Sequence, residues 1–468
     1  DIGLPDKRET WPPLYEPERN RKLHKTIRSI LDTRVLRNAE VSILAVTYPE
    51  GRLVYAIQPD KLMNPASVSK VFTAVGALEL LGSKTRITTS LYRQGEDLYI
   101  KGNGATDLAL ADLKQLANEA AQSGIVSARR LVFDASLFDK DALPPHFDEK
   151  PEISGYRSST GALASNLARF IMRISPSASI GGTVLATLEP ESDYFMIDNL
   201  ATTIETDENS IEVGIDSTED RAVITISGEM PASAKERVLS VRIPHPDIFT
   251  ARTLLDELVL AGIEVAEEKP IPGTVPANAE LVASLKSSRI RGQVASMLRY
   301  SINFIAEQLL KLMGPECTPR TWQCSLKSLK KFCRRIALDN TEFQLENGSG
   351  LYDANRFSTR QIVRFLIESM NRRDTARRLK KGFAVAGKRG TLKGRLERLK
   401  GRLFGKTGTL NKVIAISGFV ERNHRRGKRE PRLYFSIMFN KASGRLRSRK
   451  SRAVQDKIIK ALVQAAGY

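Results

Sequence analysis

Cysteine and histidine are scarce in this 468-residue chain, and their scarcity removes whole classes of chemistry. The three cysteines, Cys317, Cys324 and Cys333, sit close together, and the four histidines, His24, His146, His245 and His424, are scattered. With no CxxC pair and no HExxH run, a zinc site of familiar spacing is not expected. Cys317 and Cys324 are spaced to close a short loop in an oxidising compartment, with Cys333 left as a core residue; three unpaired thiols is the alternative reading. Long apolar runs are also missing. Nothing approaches the roughly 18 unbroken apolar residues of a membrane-spanning helix, so no transmembrane segment is expected. The chain opens on Asp1 without methionine or a charged-then-apolar leader, which reads as a secreted or periplasmic product whose signal peptide has been removed.

Negative charge is in deficit. Lys and Arg number 73 against 53 Asp and Glu, a formal net charge of +20. Such a surface attracts polyanions, whether nucleic acid, an acidic membrane or a carboxylate-rich cell wall. The cations crowd into the last third, at Arg372-Arg373, Arg377-Arg378, Lys380-Lys381, Arg425-Arg426 and between Arg445 and Arg452. They lack the interleaved aromatics of a base-stacking surface, so solvated helix faces are expected and a nucleic-acid partner is not.

A single core does not grow to this length, so two or three domains are expected. Residues 1–17, with four prolines, read as an extended arm, and 18–38 as a helical stretch. Val41 to Tyr48 and Leu53 to Gln58 form a hairpin about a Pro49-Glu50-Gly51 turn, and the spacing of Val71, Ala74, Val75, Leu78 and Leu81 predicts a buried helix over 66–81 stopped by Gly82. A middle region of short strands and turns follows, with a helix over 108–124, strands at 223–226 and 238–243, and a helix over 249–262. Helical patterns return at 290–313, 326–338 and 359–370. β-rich runs at 413–420 and 433–439 precede a closing helix over 452–466. Mixed helix and strand at both ends around a β-rich middle implies a discontinuous main domain.

Three short motifs carry the chemistry. Ser67-Val68-Ser69-Lys70 opens the buried helix, and residues three apart share a helix face, so Lys70 reaches the Ser67 hydroxyl. A serine with a free backbone N–H at a helix start and an adjacent lysine is a candidate nucleophile with its base. Ser301-Ile302-Asn303 offers a proton relay and an amide for substrate; in an extended stretch, two residues apart, the two side chains point the same way. Lys406-Thr407-Gly408-Thr409 opens a strand series, its cation and hydroxyls suited to a terminal carboxylate and its glycine to a substrate lying along the strand edge. Each alone has an ordinary structural explanation, a helix cap or a polar turn. Their occurrence together in the order SxxK, SxN, KTG is much less expected by chance.

The chain thereby resembles the class C low-molecular-mass penicillin-binding proteins, the D-alanyl-D-alanine carboxypeptidase/endopeptidase family. The likeness extends to Asn64-Pro65-Ala66-Ser67, to the helix from Asn303 to Leu310, to Asn347-Gly348-Ser349-Gly350-Leu351 and to the run from Ala386 to Leu392. Two segments depart from it: Tyr352-Asp353 stands where relatives carry Ser-Arg, and Pro145-His146-Phe147 follows the Asp134 to Phe138 run where relatives have Gly-Trp. The resemblance implies an α/β (α+β) fold. A serine β-lactamase/transpeptidase-like domain, an antiparallel sheet flanked by helices, would occupy 1–82 and 266–468. Residues 83–265 would form inserted mainly-β domains, about 83–150 with 230–265, and about 151–229.

The activity implied is that of a serine D-Ala-D-Ala carboxypeptidase and DD-endopeptidase acting on peptidoglycan, acylated by β-lactams at Ser67 and needing no cofactor or metal. Lys70 would be the base and Ser301 the relay. Asn303 would hold the peptide amide, and Lys406, Thr407 and Thr409 the carboxylate, with Gly408 beneath the substrate and the N–H groups of Ser67 and Thr409 as oxyanion hole. A β-lactamase shares the motifs but lacks so large an insert. A catalytically silent wall- or nucleic-acid-binding protein would account for the charge but not for intact Ser67, Lys70 and Lys406.

Overall fold

Alternating apolar residues at Ile43, Ala45 and Val54 build the expected hairpin, and it lies at one side of a six-stranded antiparallel sheet in the computed structural model. The structure describes residues 21–147, 153–218, 220–339, 341–422 and 432–468. The proline-rich arm expected over 1–17 and the Arg425-Arg426 pair lie outside the described residues. Strand order across the sheet is Ala384–Val385, Leu403–Leu410, Val413–Glu421, Arg432–Lys441, Ala39–Tyr48, Leu53–Ile57. The period of two divides it into two apolar faces. Ile43, Leu403, Ile414, Ile416 and Val420 pack with Leu23 and Ile27 of helix Arg21–Leu31 and with Ile458, Ile459 and Leu462 of helix Ser448–Ala466. On the other face lies helix Thr359–Asn371, begun by a Ser358 cap whose hydroxyl accepts from Gln361 N. Phe72 stacks on Phe357 at 4.1 Å and leans on Phe365 of that helix at 4.4 Å.

These elements form one compact unit, Asp1–Ser83, Val294–Ile302 and Leu326–Tyr468; the other comprises Lys84–Gln293 and Asn303–Ser325. The second unit takes in residues 266–293, expected from the sequence in the enclosing domain, because Glu280–Lys286 pairs antiparallel with Thr88–Gln94. Its five-stranded sheet runs Ile271–Pro272, Arg130–Asp134, Asp97–Lys101, Thr88–Gln94, Glu280–Lys286, and helices Leu110–Gln122 and Pro246–Leu260 pack together. A second core in the same unit gathers Phe170, Tyr194, Phe195, Ile224 and Phe249 among short strands between 169 and 242.

Helix Asn303–Lys311 is anchored in that unit by a buried charge. Lys311 is 1% exposed, yet its ammonium lies 2.6 Å from the Asp139 carboxylate, donates to Asp141 O and sits over the Trp322 ring. Burial lowers its pKa while Asp139 opposes the shift. Cys317 and Cys324 form the disulfide that their spacing allowed, and Cys333 is buried and reduced. Among the described residues no helix is long and apolar enough to cross a membrane.

Candidate active site

Ser67 stands in a tight 3₁₀ turn, Ala66–Ser69, that leads into the helix Lys70–Gly76. The chain enters that turn through Ala66 at φ +46°, a conformation that costs a non-glycine residue of order 1–3 kcal/mol. Asn64 holds it there. Its Oδ1 accepts from Ala66 N at 2.8 Å while its amide nitrogen donates to Tyr352 O at 2.9 Å and to the Asp353 carboxylate at 2.8 Å. The two residues that replace Ser-Arg in this chain thus brace the turn carrying Ser67. Ser67 is half-buried, whereas Lys70 is fully buried. Lys70 Nζ lies 3.0 Å from Ser67 Oγ and donates to the Ser349 carbonyl at 2.7 Å.

The Gly348-Ser349-Gly350 strap owes its position to small residues and one asparagine. Gly350 adopts φ +72°, and a Cβ on it would fall 2.0 Å from Ala66 O. Thr73 Oγ1 donates to Gly348 O at 2.7 Å. Asn355, 1% exposed, donates to Ser69 Oγ at 3.0 Å and accepts from Glu346 N at 2.8 Å, so one buried amide joins the nucleophile turn to the strap that orients Lys70.

The KTG motif lies inside strand Leu403–Leu410. Pleating sends Lys406 and Gly408 to the face of the Ser67 turn and Thr407 and Thr409 to the opposite one. A Cβ on Gly408 would lie 2.6 Å from Pro65 O and 3.2 Å from Ser67 N, so the missing side chain is what lets the strand approach Ser67. Pairing with the short strand Ala384–Val385 stops opposite Gly405, and among the described residues no named strand pairs the outer edge beyond it. Lys406, fully buried, donates to Ser301 Oγ at 2.8 Å and to Thr407 O at 2.7 Å. Burial first, and the neighbouring Lys70 second, push its pKa well below that of an ordinary lysine. Thr407 Oγ1 meets Thr391 Oγ1 at 2.8 Å.

A nucleophile-and-lysine pair, a second lysine on a serine, and an open strand edge beside them are thus assembled in one unit. The family model for D-Ala-D-Ala carboxypeptidase 3 (S13) matches residues 23–464. The chain belongs to that family. It is a serine-type D-Ala-D-Ala carboxypeptidase, a hydrolase. It is 28% identical to a D-alanyl-D-alanine carboxypeptidase of Actinomadura sp. (strain R39), over 96% of this chain and 85% of that one. Identity to the D-alanyl-D-alanine carboxypeptidase DacB of Haemophilus influenzae is 22%, over 84% of each. The solved structure of Haemophilus influenzae penicillin binding protein 4 shares the fold, with a TM-score of 0.81 at 21% identity over 94% of this chain and 99% of that one. A second structure of that protein is complexed with a novel β-lactam.

Against the sequence expectations, one of the three motifs needs correction. Ser301 and Asn303 do not lie in an extended stretch. The helical pattern read over 290–313 is two helices, Ile290–Tyr300 and Asn303–Lys311, broken where Ser301 takes φ +62°. Asn303 opens the second helix, belongs to the other compact unit and donates to Tyr156 O at 2.8 Å. A positive φ at Ser301 cannot continue a right-handed helix, so the pattern breaks there, and neither residue has the strand conformation in which alternation would apply. Two residues went unnoticed in the sequence: Asn355, beside the strap, and Arg452, whose guanidinium donates to Thr409 Oγ1 at 3.0 Å. In the sequence Arg452 is simply the end of the basic run from Arg445.

Proposed function

We propose that the carboxypeptidase works through an acyl-enzyme on Ser67 and cuts both the terminal D-alanine and the D-alanyl cross-links of peptidoglycan, outside the cytoplasm in the periplasm or secreted. The observation that carries this reading is Lys70 Nζ at 3.0 Å from Ser67 Oγ with the Ser349 carbonyl holding it from the other side. With one N–H given to Ser349 O, the neutral amine keeps its lone pair for the Ser67 proton, and Ser67 Oγ attacks the carbonyl of the penultimate D-alanine. The backbone N–H groups of Ser67 and Thr409 receive the oxyanion. Ser301, whose Oγ accepts from Lys406, passes its proton to the departing amine and regains one from Lys70, which took it from Ser67, so that the lysine is neutral again for the next step. Thr407 and Thr409 take the terminal carboxylate, and Asn303 keeps the role that the resemblance gives it, holding the peptide amide. Water then releases the acyl group. The two compact units correspond in this reading to a discontinuous catalytic domain and an inserted region. The Haemophilus influenzae protein solved with a β-lactam supports the same chemistry here, because a strained β-lactam amide enters the same tetrahedral path.

Fluorescent penicillin is the test. The wild-type protein is expected to form a long-lived adduct, Ser67→Ala to form none while keeping its thermal transition, and mass spectrometry to place the adduct on the peptide containing Ser67. An adduct on Ser69 or Ser301 would overturn the assignment, and rapid release of hydrolysed penicillin would make the protein a β-lactamase.

A further inference from the structure

The threonine face of the KTG strand meets a cation that no motif contains. Arg452 lies near the start of helix Ser448–Ala466, half-buried, with its guanidinium 3.0 Å from the exposed Thr409 hydroxyl. Among the described residues no carboxylate lies within ion-pair distance of it. The acid one helical turn on, Asp456, is taken by Arg395 at 2.7 Å, and Arg395 also donates to Arg452 O, which adds a second cation to the neighbourhood. The first turn of this helix carries no acidic residue, so its positive dipole end is not compensated there either. A half-buried guanidinium in such surroundings gains from an anion that arrives with two oxygens in a plane.

The geometry fixes what that anion can touch. A hydroxyl has one proton and two lone pairs. Arg452 occupies a lone pair of Thr409, so the Thr409 proton remains to be donated outward. Lys406, the other cation of the motif, points to the opposite face and is fully buried, with Ser301 and Thr407 O as its partners. Its positive charge is disfavoured by burial and by Lys70, whereas an arginine keeps its charge throughout the working range of a protein.

We propose that Arg452 is a carboxylate-binding residue of this enzyme, its guanidinium and the Thr409 hydroxyl together taking the free terminal carboxylate of the D-alanyl substrate. The inference rests on the reading of Thr409 given under the proposed function. It makes discrimination for a free carboxylate a property of the last helix as well as of the KTG strand.

The test compares an N-acyl-D-Ala-D-Ala peptide with its C-terminal amide, as kcat/KM ratios in the wild type, R452Q and R452K. For R452Q the free acid is expected to lose at least about tenfold more than the amide, the scale of one charge-assisted pair. R452K, which keeps the charge but not the fork, is expected to restore part of the ratio. If Arg452 only supported the fold, both substrates would fall together and the ratio would stay at its wild-type value; that result, in variants with wild-type thermal transitions that still form the penicillin adduct, would overturn the inference. A wild-type protein that forms no adduct and cleaves neither peptide would overturn the reading of the site itself, and the inference with it.

Discussion

Lys406 is the residue at which stability and chemistry pull hardest against each other. Fully buried, hydrogen-bonded to one hydroxyl and one carbonyl, and faced by a second lysine, it is held well below the 10.5 of an ordinary lysine. In the unfolded chain the same amine binds its proton up to the ordinary value. Between the depressed folded pKa and 10.5 the unfolded state therefore holds more protons, and stability rises with pH. Below that window the cost of burying the group is fully present; above it the cost is gone. Replacing the amine by an uncharged chain of similar length removes a cost that exists only on the acid side. The difference in stability between Lys406→Met and wild type should thus move in favour of the wild type as pH climbs from neutrality towards 10.5. Urea unfolding of both proteins at several pH values measures it, titrating groups remote from Lys406 and Lys70 cancelling in the difference. A difference that stays flat over that range would show that Lys406 has the same pKa folded and unfolded.

At the level of elements, the site is a matter of how closely strand Leu403–Leu410 can approach the Ser67 turn. Gly408 sets that distance, since a methyl group there meets Pro65 O at 2.6 Å and backbone does not yield cheaply. Gly408→Ala is expected to slow acylation by penicillin by about a hundredfold, the scale of an ångström of misplacement. Its loss of stability should be confined to about 1–3 kcal/mol, as for other overpacked sites. Stopped-flow acylation beside thermal unfolding checks both; unchanged acylation would mean that the strand position does not govern reactivity.

The same elements explain what could be read from residues alone. SxxK and KTG were legible because each sets polar side chains at a spacing that a helix start or a strand imposes, and β-rich apolar runs marked the strands read at 413–420 and 433–439. The break at Ser301 was not legible, because a positive φ in a serine leaves no mark in an otherwise continuous helical pattern. Strand Glu280–Lys286 also escaped, since an edge strand with a mostly exposed surface has little apolar alternation to show. Asn355 and Arg452 act through partners 286 and 43 positions away, and no local pattern encodes such a meeting.

For the whole molecule, the net charge of +20 and the two proposed reactions belong to one problem, the delivery of a small site to an insoluble polyanion. Long-range attraction between exposed charges is screened over about 8 Å at physiological ionic strength and about 3 Å at 1 M salt. Contacts inside the site, where Lys70 and Lys406 are fully buried, are screened far less. Digestion of cross-linked, pentapeptide-rich sacculi should therefore fall steeply as salt is raised, while cleavage of a small soluble D-Ala-D-Ala peptide changes little. Removing the terminal D-alanine and cutting a D-alanyl cross-link break the same acyl bond and differ only in the amine that departs. One site on Ser67 then yields tetrapeptides and a loss of dimers together, and salt should suppress both products in parallel. Chromatography of the released muropeptides at low and high salt decides the matter. Loss of pentapeptides with dimers untouched would reduce the enzyme to a carboxypeptidase, and equal salt sensitivity of sacculi and soluble peptide would remove the surface charge from any part in reaching the wall.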